Sequence, residues 1–194
     1  MDKSVIIKNN FEESVNLKSS LMQDEVTVQL IVSTADLIAA RYRNNGKVLF
    51  CGNGGSAADA QHLAAEFSGR YYYDRPPLFA EALHVNTSYL TAVANDYSYE
   101  EVYSRLLKAF GSEGDVLIGL STSGNSKNVV NALKQANEMG ITTIGFTGNG
   151  GGEMKNHCSI LFDIPSKNTP RIQECHMLIG HSICELVEQD LFPK

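Results

Sequence analysis

The stretch Val48-Leu49-Phe50-Cys51-Gly52-Asn53-Gly54-Gly55-Ser56-Ala57-Ala58-Asp59-Ala60-Gln61-His62-Leu63-Ala64-Ala65-Glu66-Phe67-Ser68 decides how this chain folds. It opens on an unbroken apolar run. A strand with one wet face alternates, so an unbroken run belongs to a strand covered on both faces. Glycines then allow a tight turn, and the alanine-rich segment from Ser56 onward has helical composition without a proline. Strand, glycine turn and helix together make the first half of a βαβ unit. Such units imply a parallel sheet with helices on each side.

Downstream, the same order repeats. Short β-rich runs fall at 79–85, 116–120, 142–147 and 160–164, which with 48–51 makes five strands. Helices are expected at 56–68, 87–95, 99–110, 126–139 and 169–190. Upstream, residues 6–45 read as two helices broken near Gln23-Asp24, with Val26, Val28, Leu30, Ile31, Ala35, Leu37 and Ile38 supplying apolar faces. Asn44-Asn45-Gly46 stops the second. No internal repeat or linker divides the chain. Residues 1–194 are therefore expected to form one α/β domain: a three-layer αβα sandwich on a five-stranded parallel sheet (46–194), preceded by a helical pair (1–45).

At 194 residues the chain is long enough to bury a core without disulfides or metal staples. Its net charge of -6 and pI near 5.3 argue against the broad basic surface that nucleic acid or anionic lipid requires. Any anionic substrate must then be caught locally. No apolar run is long enough to span a bilayer. Cys51, Cys158, Cys175 and Cys184 lack CxxC spacing and no secretory segment precedes them, so reduced thiols in a cytoplasmic protein are expected. The sequon Asn86-Thr87-Ser88 is discarded for the same reason.

Two loops follow strands and precede helices, where free N–H groups and the helix dipole favour an anion. The first is Cys51-Gly52-Asn53-Gly54-Gly55-Ser56. The second, Ser121-Thr122-Ser123-Gly124-Asn125-Ser126, adds four hydroxyls able to donate to phosphate oxygens. Either loop alone is ordinary turn punctuation, but both must lie at the carboxyl edge of the sheet, where ligands of open parallel sheets gather. The spacing Gly52-x-Gly54-x-x-Ala57 also fits a dinucleotide fingerprint. Against that competitor stand the helices before the first strand, the superfluous hydroxyl loop, and the lack of an acidic residue clearly ending the next strand.

His62 and Glu66 are four apart and share a helical face. An isolated pair of this kind is more often a surface ion pair, but here the helix leaves the glycine loop and carries small residues at Ala57, Ala58, Ala60, Ala64 and Ala65. On the last helix Gln173 and His181 are eight apart and project from nearly one face, which is otherwise apolar enough to be buried. Periodicity alone leaves His181 equally readable as a core histidine. His84, His157 and His176 receive no role.

The string from Cys51 to Arg70, with Ser121-Thr-Ser-Gly-Asn-Ser126, Asn95-Asp96-Tyr97, Arg171-Ile-Gln-Glu-Cys-His-Met177 and the paired N-terminal helices, resembles the phosphoheptose isomerases of the sugar isomerase (SIS) superfamily. The resemblance covers nearly the whole chain. It implies isomerisation of sedoheptulose 7-phosphate to D-glycero-D-manno-heptose 7-phosphate, the first step toward the nucleotide-activated heptose of lipopolysaccharide or other bacterial glycans. It also implies a homotetramer with sites between subunits and the N-terminal helices at its centre.

By the same resemblance Glu66 is the catalytic base and His181 the second acid/base. His62, Glu66, Gln173 and His181 are ligands of one Zn²⁺ per subunit, and Ser121, Ser123 and Ser126 bind phosphate. Asn53, Gly54, Gly55, Ser56, Arg70, Asn95, Asp96, Thr122, Thr169 and Gln173 lie around the substrate. Some relatives carry an acidic residue just before the Arg-Ile-Gln motif, where this chain has Thr169-Pro170. A non-catalytic branch that binds the bacterial replication initiator lacks the counterparts of Glu66 and His181; this chain has both. Four firm ligands would close a tetrahedral zinc, whereas a catalytic zinc keeps a position open.

Overall fold

A computed structural model describes residues 2–194. Helices α1 (Lys3–Gln23) and α2 (Glu25–Arg43) come first. Asp24 is the reason they are two: it ends α1 and turns its carboxylate onto the first turn of α2, accepting from the Val26 amide at 3.2 Å and the Thr27 hydroxyl at 2.6 Å. Asn45, at φ +62°, turns the chain out of α2.

The core then alternates as β1 (Val48–Gly52), α3 (Gly55–Ser68), β2 (Ala80–Ala82), α4 (Thr87–Asp96), α5 (Val102–Phe110), β3 (Val116–Ser121), α6 (Lys127–Glu138), β4 (Thr142–Gly148), β5 (Ile160–Ile164) and α7 (Thr169–Leu191). All pairings are parallel, in the order β2-β1-β3-β4-β5. The central strands are buried throughout, as unbroken apolar runs require.

Side chains alternate between two cores. Val48, Phe50, Ile118, Leu120, Ile144 and Phe146 pack under α2, α3 and α7; Leu49, Cys51 and Leu117 pack under α4, α5 and α6. All four cysteines are free. No helix among the described residues is long and apolar enough to cross a membrane.

Three local expectations shift. The second strand is three residues rather than seven, because it lies at the sheet edge and its apolar flanks Phe79 and Val85 are exposed. The helix expected at 99–110 opens as a 3₁₀ turn (Tyr99–Glu101) before α5. On α7 the buried face carries Ile172, Cys175, His176, Ile179, Ile183 and Val187, while Gln173 and His181 sit on its half-buried flank.

Candidate active site

The chain enters the sheet at β1, steps outward to β2, then returns across β1 to β3. This reversal places the carboxyl ends of β1 and β3 side by side, with Gly52 paired to Leu120, and leaves a crevice between the loops that follow them. The crevice is a cleft of about 240 Å³ lined by the first loop (Asn53, Gly55, Ser56), the second (Ser121, Thr122, Ser123, Ser126) and the start of α7 (Thr169, Gln173).

Local chemistry shapes each wall. Gly54 adopts φ +55°, a conformation open to glycine, and so turns the chain directly into α3. Gly55 gives room of a different kind: the Gln173 amide rests against it, and a Cβ there would push that side chain aside. In the second loop the Ser121 hydroxyl sits 3.0 Å from that of Ser126 and 3.3 Å from that of Ser123. Hydroxyls gathered around Ser121 in this way can rotate their protons outward onto an anion at little cost.

The helix ends reinforce this. Where α1, α2 and α4 begin, Asp2, Asp24 and Asn86 side chains respectively cap the first turn. The three helices that border the cleft, α3, α6 and α7, begin at Gly54, Ser126 and Asn168 with no side-chain cap. Apart from the Ser56 amide, which donates to the Asn53 backbone carbonyl, the Val129 amide, which donates to Asn128 Oδ1, and Pro170, which has no N–H, the leading N–H groups are open to a ligand, and three dipoles favour negative charge there.

The two loops are also tied together. Asn53 and Asn128 exchange reciprocal side-chain amide hydrogen bonds, each 2.8 Å, and the Tyr99 hydroxyl donates to Asn53 Oδ1 at 3.0 Å. Asn128 is buried in the first turn of α6. This lock spans 75 residues of sequence.

Helices α3 and α7, whose starts flank the cleft, run side by side and bring a second group together further along. His62 Nε2 lies 3.0 Å from His181 Nε2 and 3.2 Å from Glu66 Oε1. Ligand atoms of all three lie within 4.8 Å of one another. Two facing ring nitrogens satisfy each other only when one is protonated and the other is not, or when a cation lies between them. Burial, then the neighbouring His62, lowers the His181 pKa below its ordinary value, with Glu66 opposing. Two imidazoles and a carboxylate are a donor set suited to zinc. The Tyr71 ring stands 5.9 Å from that of His181.

A family model for the SIS domain matches residues 11–148. The chain belongs to the SIS domain family. Among relatives of this SIS domain, the phosphoheptose isomerase of Clostridium acetobutylicum is 50% identical over 186 residues, covering 96% of this chain and 95% of the relative. That of Burkholderia pseudomallei is 49% identical over 188 residues, covering 97% and 95%. The solved phosphoheptose isomerase GmhA of Neisseria gonorrhoeae superposes with a TM-score of 0.91 at 40% identity, covering 97% of this chain and all of that one.

Within this SIS domain the expected site residues separate into three groups. Asn53, Gly55, Ser56, Ser121, Thr122, Ser123, Ser126, Thr169 and Gln173 line the cleft, with Gly54 turning the chain beside it. His62, Glu66 and His181 form the cluster; Gln173, expected with them, has its amide against Gly55 on the cleft side. Arg70, Asn95 and Asp96 do not line the cleft of one chain: all three are exposed, with Arg70 donating to the Tyr72 carbonyl at 3.4 Å and Asn95 to Asp96 at 2.9 Å. Sequence reasoning missed Asn128, Tyr99 and Tyr71. The only signal for Asn128 was its amide, two residues past Ser126 in a helix start.

Proposed function

We propose that this chain is an aldose–ketose isomerase that converts sedoheptulose 7-phosphate to D-glycero-D-manno-heptose 7-phosphate, opening the route to nucleotide-activated heptose. One observation carries the reading: the two helices that border a hydroxyl-lined anion cleft also bring Glu66 and His181 together further along their length. Size agrees. His62 is seven residues along α3 from Gly55, about 10 Å of axial rise. An extended chain spans roughly 1.2 Å per bond, so a phosphate seven carbons from the reacting end reaches this far and a triose phosphate does not.

In this reading the loops anchor the phosphate and set the register of the sugar. Glu66 removes a proton from C1, beside the carbonyl, and His181 returns one at C2. The net change moves one hydrogen from C1 to C2 and one from O1 to O2; Glu66 is left holding the C1 proton and His181 is left one short, and a proton passed from Glu66 to His181, directly or through solvent, resets both. Zn²⁺ is the proposed cofactor, held by His62, Glu66 and His181; a bound zinc would supply Lewis acidity toward the two substrate oxygens. Three donors leave a fourth position open, for Gln173 or for substrate.

A homotetramer is the proposed assembly. Ile7, Phe11 and Val15, four residues apart along α1, are 56%, 71% and 59% exposed, an apolar stripe of the kind a second copy covers. Arg70, Asn95 and Asp96 would then reach a site shared between subunits.

A coupled assay on sedoheptulose 7-phosphate tests the reading directly. Turnover is expected, with loss on exhaustive chelation and recovery on adding zinc. No product from metal-replete protein would remove the isomerase; full turnover by metal-free protein would remove zinc from the chemistry.

A further inference from the structure

Behind the cluster lies an ion pair that the proposed chemistry does not use. Arg75 and Glu188 have side chains only 2% and 1% exposed, with Arg75 Nε 3.0 Å from Glu188 Oε1. Neither lines the cleft, and neither hydrogen-bonds to the side chain of His62, Glu66 or His181.

What the two groups hold is specific. Arg75 donates through its terminal nitrogens to four carbonyls at the end of α3 and just beyond: Glu66 at 2.9 Å, Phe67 at 2.8 Å, Gly69 at 3.3 Å and Pro76 at 3.1 Å. These include α3 carbonyls that lack helical partners, and one belongs to Glu66 itself. Glu188 accepts from the Tyr71 and Tyr72 amides at 2.9 and 2.8 Å. The first of these sets the backbone of the residue whose ring faces His181. Glu188 is seven residues past His181 on the same helix. One buried pair therefore grips the Glu66 backbone, the segment carrying Tyr71, and α7.

Burial by itself would raise the Glu188 carboxyl, but the Tyr72 and Tyr71 amides and the Arg75 guanidinium outweigh it and leave its pKa below the ordinary value. Glu188 is thus a carboxylate at neutral pH. Buried pairs of this kind seldom stabilise more than apolar residues of similar volume would. Stability is a weak reason to keep one here.

We infer that Arg75 and Glu188 are positioning residues for the isomerase reaction, clamping the end of α3 to α7 so that the Glu66 carboxylate and the His181 imidazole meet at the same reacting carbons. The inference rests on the acid/base roles proposed above. Substrate anchoring, at the far end of α3, does not depend on the clamp.

The test uses full-length protein and the double variant Arg75→Met with Glu188→Leu, which replaces the pair by apolar groups. Expected is a cooperatively folded protein with KM for sedoheptulose 7-phosphate within about twofold of the parent, and kcat reduced roughly 10- to 100-fold, the range for lost support of a reacting group. Solvent deuterium incorporation falls in step with kcat. A folded double variant with parental kcat overturns the inference, as does a fall expressed only in KM. If the double variant does not fold, Arg75→Lys decides in the same way. It keeps the charge but cannot span Glu188 and the Glu66 and Phe67 carbonyls together. Glu66→Gln, run alongside, separates the failures: if it retains exchange, the acid/base assignment itself is wrong, whereas an inactive Glu66→Gln beside a fully active double variant sinks the clamp alone.

Discussion

At the residue scale, two side chains have opposite relations to water. Glu66 is half-buried beside His62, and its proposed work is to take a carbon-bound proton. Glu66→Gln keeps shape and volume but removes the base, so kcat is expected to fall by about 10²- to 10⁴-fold with the thermal midpoint nearly unchanged. Preserved deuterium exchange in that variant would exclude the base role. His176 is fully buried; its Nε2 lies 3.1 Å from the Thr147 carbonyl, and its Nδ1 has no partner. Burial lowers its pKa from 6.5 to about 4. The unfolded chain binds a proton below pH 6.5 that the folded chain refuses until about pH 4. The stability from this residue is complete above pH 6.5 and drains as pH falls through that window, by up to about 3 kcal/mol. Urea melts of His176→Gln across pH 4 to 7 should show a shallower acid slope than the parent; an identical slope would assign the acid lability elsewhere.

At the scale of elements, the cleft depends on two loops keeping their spacing, and the Asn53–Asn128 amide pair ties them together. Asn128→Ala leaves the Asn53 amide short of a partner, at a cost of about 1–3 kcal/mol, and frees the loops to separate. KM for the sugar phosphate should rise about tenfold while kcat changes little, since the cluster lies further along α3 and α7. Steady-state kinetics read the split, and an unchanged KM would show that the loops hold their spacing without this lock. The three uncapped helix starts around the cleft contrast with the capped starts of α1, α2 and α4. A serine at the start of α6 reads as an ordinary N-cap in sequence. Only the fold shows that Ser126 faces Ser121 instead.

At the scale of the whole molecule, α1 is a helix of 21 residues with a single buried residue, Leu21. A helix so exposed along an apolar stripe is hard to explain in an isolated chain. Phe11→Asp puts a charge at the most exposed point of the stripe, where Phe11 is 71% exposed. The substitution should lower the molar mass measured by light scattering, and turnover with it if sites are shared. An unchanged mass would place the assembly surface elsewhere.

The sequence by itself determined the strands and helices, their α/β order and the two glycine and serine loops that line the cleft. Those follow from short-range causes: unbroken apolar runs, glycine turns, and the break at Asp24 that its capping carboxylate explains. It also placed His62 and Glu66 on one face, because spacing along a helix is fixed geometry. Tertiary structure alone decided which side of α7 the sheet would take. Period shows that Gln173 and His181 share a face, but not that the sheet buries the side bearing His176 instead. It alone decided the pairings His62–His181, Asn53–Asn128 and Arg75–Glu188, which join residues 119, 75 and 113 positions apart. Such contacts arise from how helices dock on a twisted sheet, a cooperative outcome of packing that no local window of residues contains.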